Sequence, residues 1–214
     1  MGRVERLGVL GGTFDPIHIG HLLMAQAAYE QLGLDLVLFV PAGVPPHKRK
    51  QEREDASARL AMTRAAIAGD ERFALSLVDI ERPAPHYTVD MLRLLGRQYG
   101  LGPECIHFIV GSDSLAQLHT WHQPGKVARE CILSVLRRPG FPIALEELFA
   151  RVPEARGRVH LVEMPEVGVS STLLRSMVRQ GRLIRYWVPP AVEQMVREQG
   201  LYLRAPVVPA GEVG

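Results

Sequence analysis

The sequence predicts an α/β fold, a doubly wound parallel sheet with a small helical part at its C-terminal end. Three observations carry that expectation. Short, largely apolar runs recur at residues 7–10, 36–40, 106–110 and 132–136, and the run at 36–40 is continuous, as expected of a strand covered on both faces. Helical patterns stand between them, and such alternation builds βαβ units. From Ser171 onward two helical patterns follow each other with no strand between.

The elements follow in order. The first strand, 7–10, runs into Gly11-Gly12-Thr13-Phe14-Asp15-Pro16-Ile17-His18-Ile19-Gly20-His21, and a helical pattern covers 22–32. The second strand, 36–40, leads to a proline-rich loop, 41–50, that carries Pro45-Pro46-His47-Lys48, and a helix is expected over 56–68. A third strand is expected over 73–80, then a loop to Tyr87-Thr88 and a helix to about residue 99. The fourth strand, 106–110, closes in Gly111-Ser112-Asp113-Ser114, with a helix to about His119 and Trp121-His122 in the next turn. After a short helix at 125–130, the fifth strand, 132–136, closes in Arg137-Arg138-Pro139-Gly140. A helix at 143–150 and a sixth strand at 159–163 complete the sheet. Ser170-Ser171-Thr172 then caps a helix that stops at Gly181, and Pro189-Pro190 opens one that ends at Gly200. Residues 1–169 read as the α/β domain, 170–204 as a helical segment completing it, and 205–214 as a loose tail rich in proline, valine and glycine.

Composition bounds the function classes. A chain of 214 residues can bury one sizeable core without staples. A net charge of +2, with both signs mixed along the chain, demands neither nucleic acid nor a membrane surface. Cys105 and Cys131 are too few for a disulfide framework, and each opens an apolar run, so each reads as a small buried hydrophobe. No run approaches the roughly 18 apolar residues of a membrane span. The expectation is a soluble, cytoplasmic protein, with oligomeric state open and a homodimer among the options.

The turn after the first strand is the strongest candidate site. Paired glycines allow a sharp bend and close approach of a ligand to the main chain. The helix start beyond them offers unpaired N–H groups and a positive dipole end, suited to anions. His18 and His21 stand three apart and can point to one side; alone, such a pair could equally be surface decoration or part of a metal site. The string matches neither the Walker pattern nor the spaced-glycine dinucleotide fingerprint, and Pro41-Ala42-Gly43 stands where an acidic ribose ligand would follow the second strand. Lys48 is a solvated lysine or a cation carried over phosphates on a stiff loop. Gly111-Ser112-Asp113 is a plain helix start, with Ser112 or Asp113 as cap, or a carboxylate for a ribose. Tyr87 and Trp121 are core aromatics or flat faces for a ligand ring, and Thr88 a helix cap or a ligand contact. Ser171 and Arg175, at a helix start and one turn in, are a cap with a surface arginine or a second phosphate site.

In full, the first string resembles the GGTFDPxHxGH signature of the nucleotidylyltransferase superfamily. With PPHK, the YT element, GSD followed by tryptophan, RRPG and SSTLLR in that order, the chain is similar to bacterial nicotinate-nucleotide adenylyltransferases from about residue 7 to 202. Two positions depart from that pattern: His122 stands where tyrosine commonly follows the tryptophan, and Met91 replaces the final threonine of YTxDT. Both lie near the expected nicotinate end.

The resemblance implies a Rossmann-like fold and transfer of the ATP adenylyl group to nicotinate mononucleotide, with Mg²⁺ arriving with ATP and no protein metal cage. It implies catalytic roles for His18, His21, Lys48 and Arg175. ATP would lie against Gly11, Gly12, Thr13, Phe14, His18, His21, Ser171 and Arg175. The nicotinate nucleotide would lie against Lys48, Tyr87, Thr88, Gly111, Asp113, Trp121 and Arg138. The alternatives are an adenylyltransferase for nicotinamide mononucleotide or phosphopantetheine, a non-catalytic nucleotide-binding module, or, more remotely, a fragment of an RNA-charging enzyme.

Overall fold

The computed structural model describes residues 3–43, 55–137 and 140–203. Six parallel strands lie in the order β3-β2-β1-β4-β5-β6: β1 Leu7–Gly12, β2 Leu36–Pro41, β3 Phe73–Leu75, β4 Ile106–Gly111, β5 Ile132–Leu136 and β6 Val159–Val162. The order reverses between β1 and β4, which pair directly, Leu7 opposite Ile106 and Leu10 opposite Ile109. That reversal opens a crevice beyond the carboxyl ends of the two strands, where sheets of this kind bind ligands.

Period-two alternation sorts side chains to the two faces. Leu7 and Val9 of β1 and Leu36, Leu38 and Val40 of β2 join one apolar cluster. It is closed by α4 Thr88–Tyr99, α6 Pro124–Arg129 and α7 Leu145–Arg151. Leu10, Val37 and Phe39 face the other cluster. There α1 Ile19–Leu32, α2 Ala56–Ala66, α8 Ser171–Arg179 and α9 Pro190–Glu198 pack. Leu174, Met177, Val192 and Val196 of the last two helices share this core with Ile17 and Met24, so the C-terminal helices lie against the first βα unit. Among the described residues no helix is long and apolar enough to cross a membrane.

The third strand is shorter than its apolar pattern predicts. It ends at Leu75, and Val78–Glu81 forms a helical turn, α3. Leu77 leaves the extended region at φ −94°, ψ 2°, and Asp79 turns inward to meet Arg82 at 2.6 Å. A buried carboxylate with an arginine partner outweighs the strand preference of the surrounding leucine, valine and isoleucine. At the next junction the cap position of α5 Ser112–Ala116 is taken by Gly111, not by Ser112 or Asp113. Cys131 is fully buried, and burial pushes its thiol pKa up to about 12, whereas Cys105 is only partly buried.

Candidate active site

The turn between β1 and α1 is built from its own backbone and braced from three directions. Phe14 sits at φ 52° and sends its ring into the core, where it meets Phe39 and touches the edge of the His21 ring at 5.0 Å. A Cβ on Gly20 would lie 2.9 Å from Val169 and 3.1 Å from the His18 ring. Glycine there lets the loop before α8 pack against the start of α1.

His18 takes the N-cap position of α1 in extended backbone, and His21 is the third helical residue. Their rings stack with centroids 3.7 Å apart and planes 25° apart. The His18 backbone N–H donates to His21 Nδ1 at 3.2 Å. A neutral His21 therefore carries its proton on Nε2, which makes that nitrogen a donor. The pair stands at the N-terminus of α1, the positive end of the helix dipole.

The C-terminal helices supply the first brace. Ser170 caps α8, its Oγ accepting from Leu173 N–H at 3.2 Å. Ser171 Oγ donates to the Pro16 carbonyl at 2.9 Å, and Arg175 Nη1 donates to the Asp15 carbonyl at 2.7 Å. Ile19 N–H donates to the Trp187 carbonyl at 3.0 Å. The N-termini of α1 and α8 thus open side by side.

The second brace is Arg59 of α2, which is buried. It donates to the carbonyls of Thr13 at 2.8 Å and Ala42 at 3.0 Å, tying the turn to the end of β2. Burial draws its pKa down, and the charge of Asp15 opposes that shift. The third is Tyr202, whose hydroxyl donates to Asp15 Oδ1 at 2.8 Å in a buried pair. Sequence reading missed all three partners, Arg59, Asp15 and Tyr202. Only Arg59 had a local signal, since it shares the inward face of α2 with Met62 and Thr63.

A second wall forms across the crevice. Trp121 crosses the Phe108 ring of β4 at 6.1 Å. The Tyr87 ring stacks on His122 at 3.8 Å with planes 17° apart. Tyr87 is the N-cap of α4 and Thr88 its first residue, so Thr88 does not cap the helix. Both aromatics, Trp121 and Tyr87, are partly buried against the core.

The geometry brings Gly11, Gly12, Thr13, Phe14, His18, His21, Ser171 and Arg175 to one connected turn. Gly111 and Asp113 stand at the end of the paired strand β4. Phe14 contributes backbone there, its ring being buried. Lys48 and Arg138 lie outside the described residues.

A family model described as Cytidylyltransferase-like matches residues 9–177. A Thermomicrobium roseum protein named "Probable nicotinate-nucleotide adenylyltransferase" is 48% identical over 199 residues, 93% of this chain and 92% of its own length. The chain belongs to the nicotinate-nucleotide adenylyltransferase family. A member from Thermus thermophilus is 44% identical over 197 residues, 92% of this chain and 99% of its own. Among solved structures, Plasmodium falciparum nicotinic acid mononucleotide adenylyltransferase complexed with NaAD superimposes with a TM-score of 0.76. It is 18% identical, and the match covers 92% of this chain and 97% of that one. That likeness is one of fold.

Proposed function

We propose that this chain transfers the adenylyl group of ATP to nicotinate mononucleotide, releasing nicotinate adenine dinucleotide and pyrophosphate. The observation that carries the reading is the joined pair of helix N-termini, α1 with His18 and His21 and α8 with Ser171 and Arg175, opening on the sheet's switch point. Such a pair suits a polyphosphate, because each terminus carries a positive dipole end with imidazole or guanidinium groups beside it.

The acceptor phosphate is already an anion at neutral pH. Its oxygen attacks the α-phosphorus, the bond to the bridging oxygen of the β-phosphate breaks, and pyrophosphate leaves with that electron pair. No general base and no covalent enzyme intermediate are needed. Catalysis is positioning plus stabilisation of charge on phosphoryl oxygens. His21 donates from Nε2 to those oxygens, and His18, stacked beneath it, fixes its orientation. Arg175 and Lys48 hold oxygens of the leaving group. Asp113 serves the nucleotide, and Arg138 the nicotinate nucleotide.

The Mg²⁺ of the reaction enters as part of the substrate, with ATP. Among the described residues no group of three or more His, Cys, Asp or Glu could hold a metal ion. The imidazoles of His18 and His21, the Ser171 hydroxyl and the Arg175 guanidinium suit phosphate oxygens, and the carboxylate of the turn, Asp15, is buried against Tyr202.

The nicotinate ring lies against Trp121 and the Tyr87–His122 stack. The N–H groups of Thr88 and Val89 precede the first bond of α4, which Asp90 N–H makes to the Tyr87 carbonyl at 3.2 Å. Donors at a positive helix end favour a carboxylate over a carboxamide, whose NH₂ would face them. This favours the acid form of the nucleotide and a place in dinucleotide synthesis in the cytoplasm.

The test is pyrophosphate release from ATP and Mg²⁺ with nicotinate mononucleotide, nicotinamide mononucleotide or phosphopantetheine offered separately. The expected result is a strong preference for the nicotinate form. Preference for another acceptor would overturn the substrate, and silence with all three from folded, ATP-binding protein would overturn the activity.

A further inference from the structure

We propose that Arg82 is a positioning residue for nicotinate recognition, holding the segment before α4 in the shape that receives the ring; this rests on the function proposed above. One guanidinium makes four hydrogen bonds there. Nε and Nη2 donate to Asp79 Oδ1 at 2.9 and 2.6 Å. Nη1 donates to the Pro85 carbonyl at 2.9 Å and Nη2 to the Tyr87 carbonyl at 3.0 Å. The two side chains are 11% and 10% exposed.

The bonds grip the backbone on both sides of His86. Between them Tyr87 N–H donates back to the Pro85 carbonyl at 3.2 Å. The Tyr87 carbonyl collects Arg82, Asp90 N–H and Met91 N–H together, so the same atom that starts α4 is anchored to Arg82. Tyr87 carries the ring stacked on His122, beside Trp121. The position of that ring, and the aim of the first N–H groups of α4, therefore depend on the guanidinium.

Within the loop Pro83, Ala84 and Pro85 are exposed. A planar fork reaching a carboxylate and two carbonyls at once does what packing does elsewhere. The opposite side of the loop is also tight. A Cβ on Gly43 would lie 2.5 Å from the Asp79 carbonyl oxygen and 2.7 Å from the His86 ring. The segment thus lies directly against the end of the β2 exit, and a shift at Arg82 is felt on the crevice side.

The experiment compares wild type with Arg82→Ala and Arg82→Lys in steady-state kinetics, varying each substrate in turn, with thermal melts alongside. Lysine keeps the charge on Asp79 but cannot reach both carbonyls. Both variants are expected to raise KM for nicotinate mononucleotide tenfold or more. KM for ATP should stay within twofold and kcat at saturation within threefold. The Lys variant should melt closer to wild type than the Ala variant does. Unchanged KM for the nicotinate substrate, or equal losses for both substrates, would overturn the proposal. Failure of both variants to fold would overturn it too, since Arg82 would then be a folding element. If wild type itself does not use nicotinate mononucleotide, the function falls and this role falls with it. If wild type is active and the variants match it, only this role falls.

Discussion

Tyr202→Phe isolates one of the three braces on the phosphate turn. The substitution removes a single oxygen and keeps the ring, so it opens almost no cavity. What it takes away is the 2.8 Å bond to Asp15 Oδ1, between side chains 6% and 1% exposed. A buried hydrogen bond to a charged acceptor contributes about 1.5–3 kcal/mol. For a domain of this size each kcal/mol moves Tm by about 2–4 °C, so a loss of about 2 kcal/mol lowers Tm by about 4–8 °C. Calorimetry and urea unfolding of both proteins at neutral pH measure it, with the denaturant slope unchanged. The same Asp15 offers its carbonyl to Arg175, so KM for ATP should rise a few-fold while KM for the nicotinate nucleotide stays put. A Tm within 1 °C of wild type would refute the reasoning, because the Tyr202–Asp15 bond would then carry no weight.

Three further outcomes follow from the same geometry. His21→Ala should lower kcat by about 10²-fold or more, the usual loss for one preorganised donor to a developing oxyanion, while the lost cap bond, about 1 kcal/mol, lowers Tm by only about 2–4 °C; near-normal turnover would remove His21 from the reaction. Trp121→Ala should raise KM for nicotinate mononucleotide and leave KM for ATP alone; a selective loss of ATP affinity would reverse the placement of the two substrates. His107, buried against Ser134 at 3.1 Å, has its pKa lowered by burial from 6.5 to about 4. Between those values the unfolded chain holds a proton that the folded one lacks, so the His107 contribution is full above pH 6.5 and is lost as pH falls toward 4. His107→Asn should flatten the stability profile over that window, and urea midpoints at pH 7 and pH 5 that shift equally in both proteins would contradict it.

What was legible in the sequence was local. Four apolar runs mark strands because parallel strands are buried on both faces, and Gly-Gly, Pro16 and the following helix pattern mark the turn. The Ser170 cap was legible because a serine ahead of an amphipathic run has a side chain suited to a free N–H. What stayed hidden depended on partners far away in the chain. Residues 73–80 alternate like a strand, and nothing in that stretch says that Asp79 will be drawn inward by Arg82. Arg59 shares its helix face with Met62 and Thr63, yet nothing local names Thr13 and Ala42 as its acceptors, 46 and 17 residues away. The Tyr202 bond to Asp15 spans 187 residues, and no local pattern foretells it. The family string marks the candidate site, whereas the supports beneath it required the fold.

The brace from the C-terminal end bears on the order in which the protein comes into being. Synthesis runs from the amino end, so the glycine-histidine turn leaves the ribosome ahead of the residues that brace it. Ser171, Arg175 and Tyr202, which hold its Pro16 and Asp15 atoms, follow those atoms by 155, 160 and 187 residues. A nascent chain with its whole sheet already made still lacks the struts that set the turn. The crevice therefore becomes fit to take a nucleotide only after α8 and Tyr202 have been made, and a transcript cut short before α8 encodes a sheet without its braced turn.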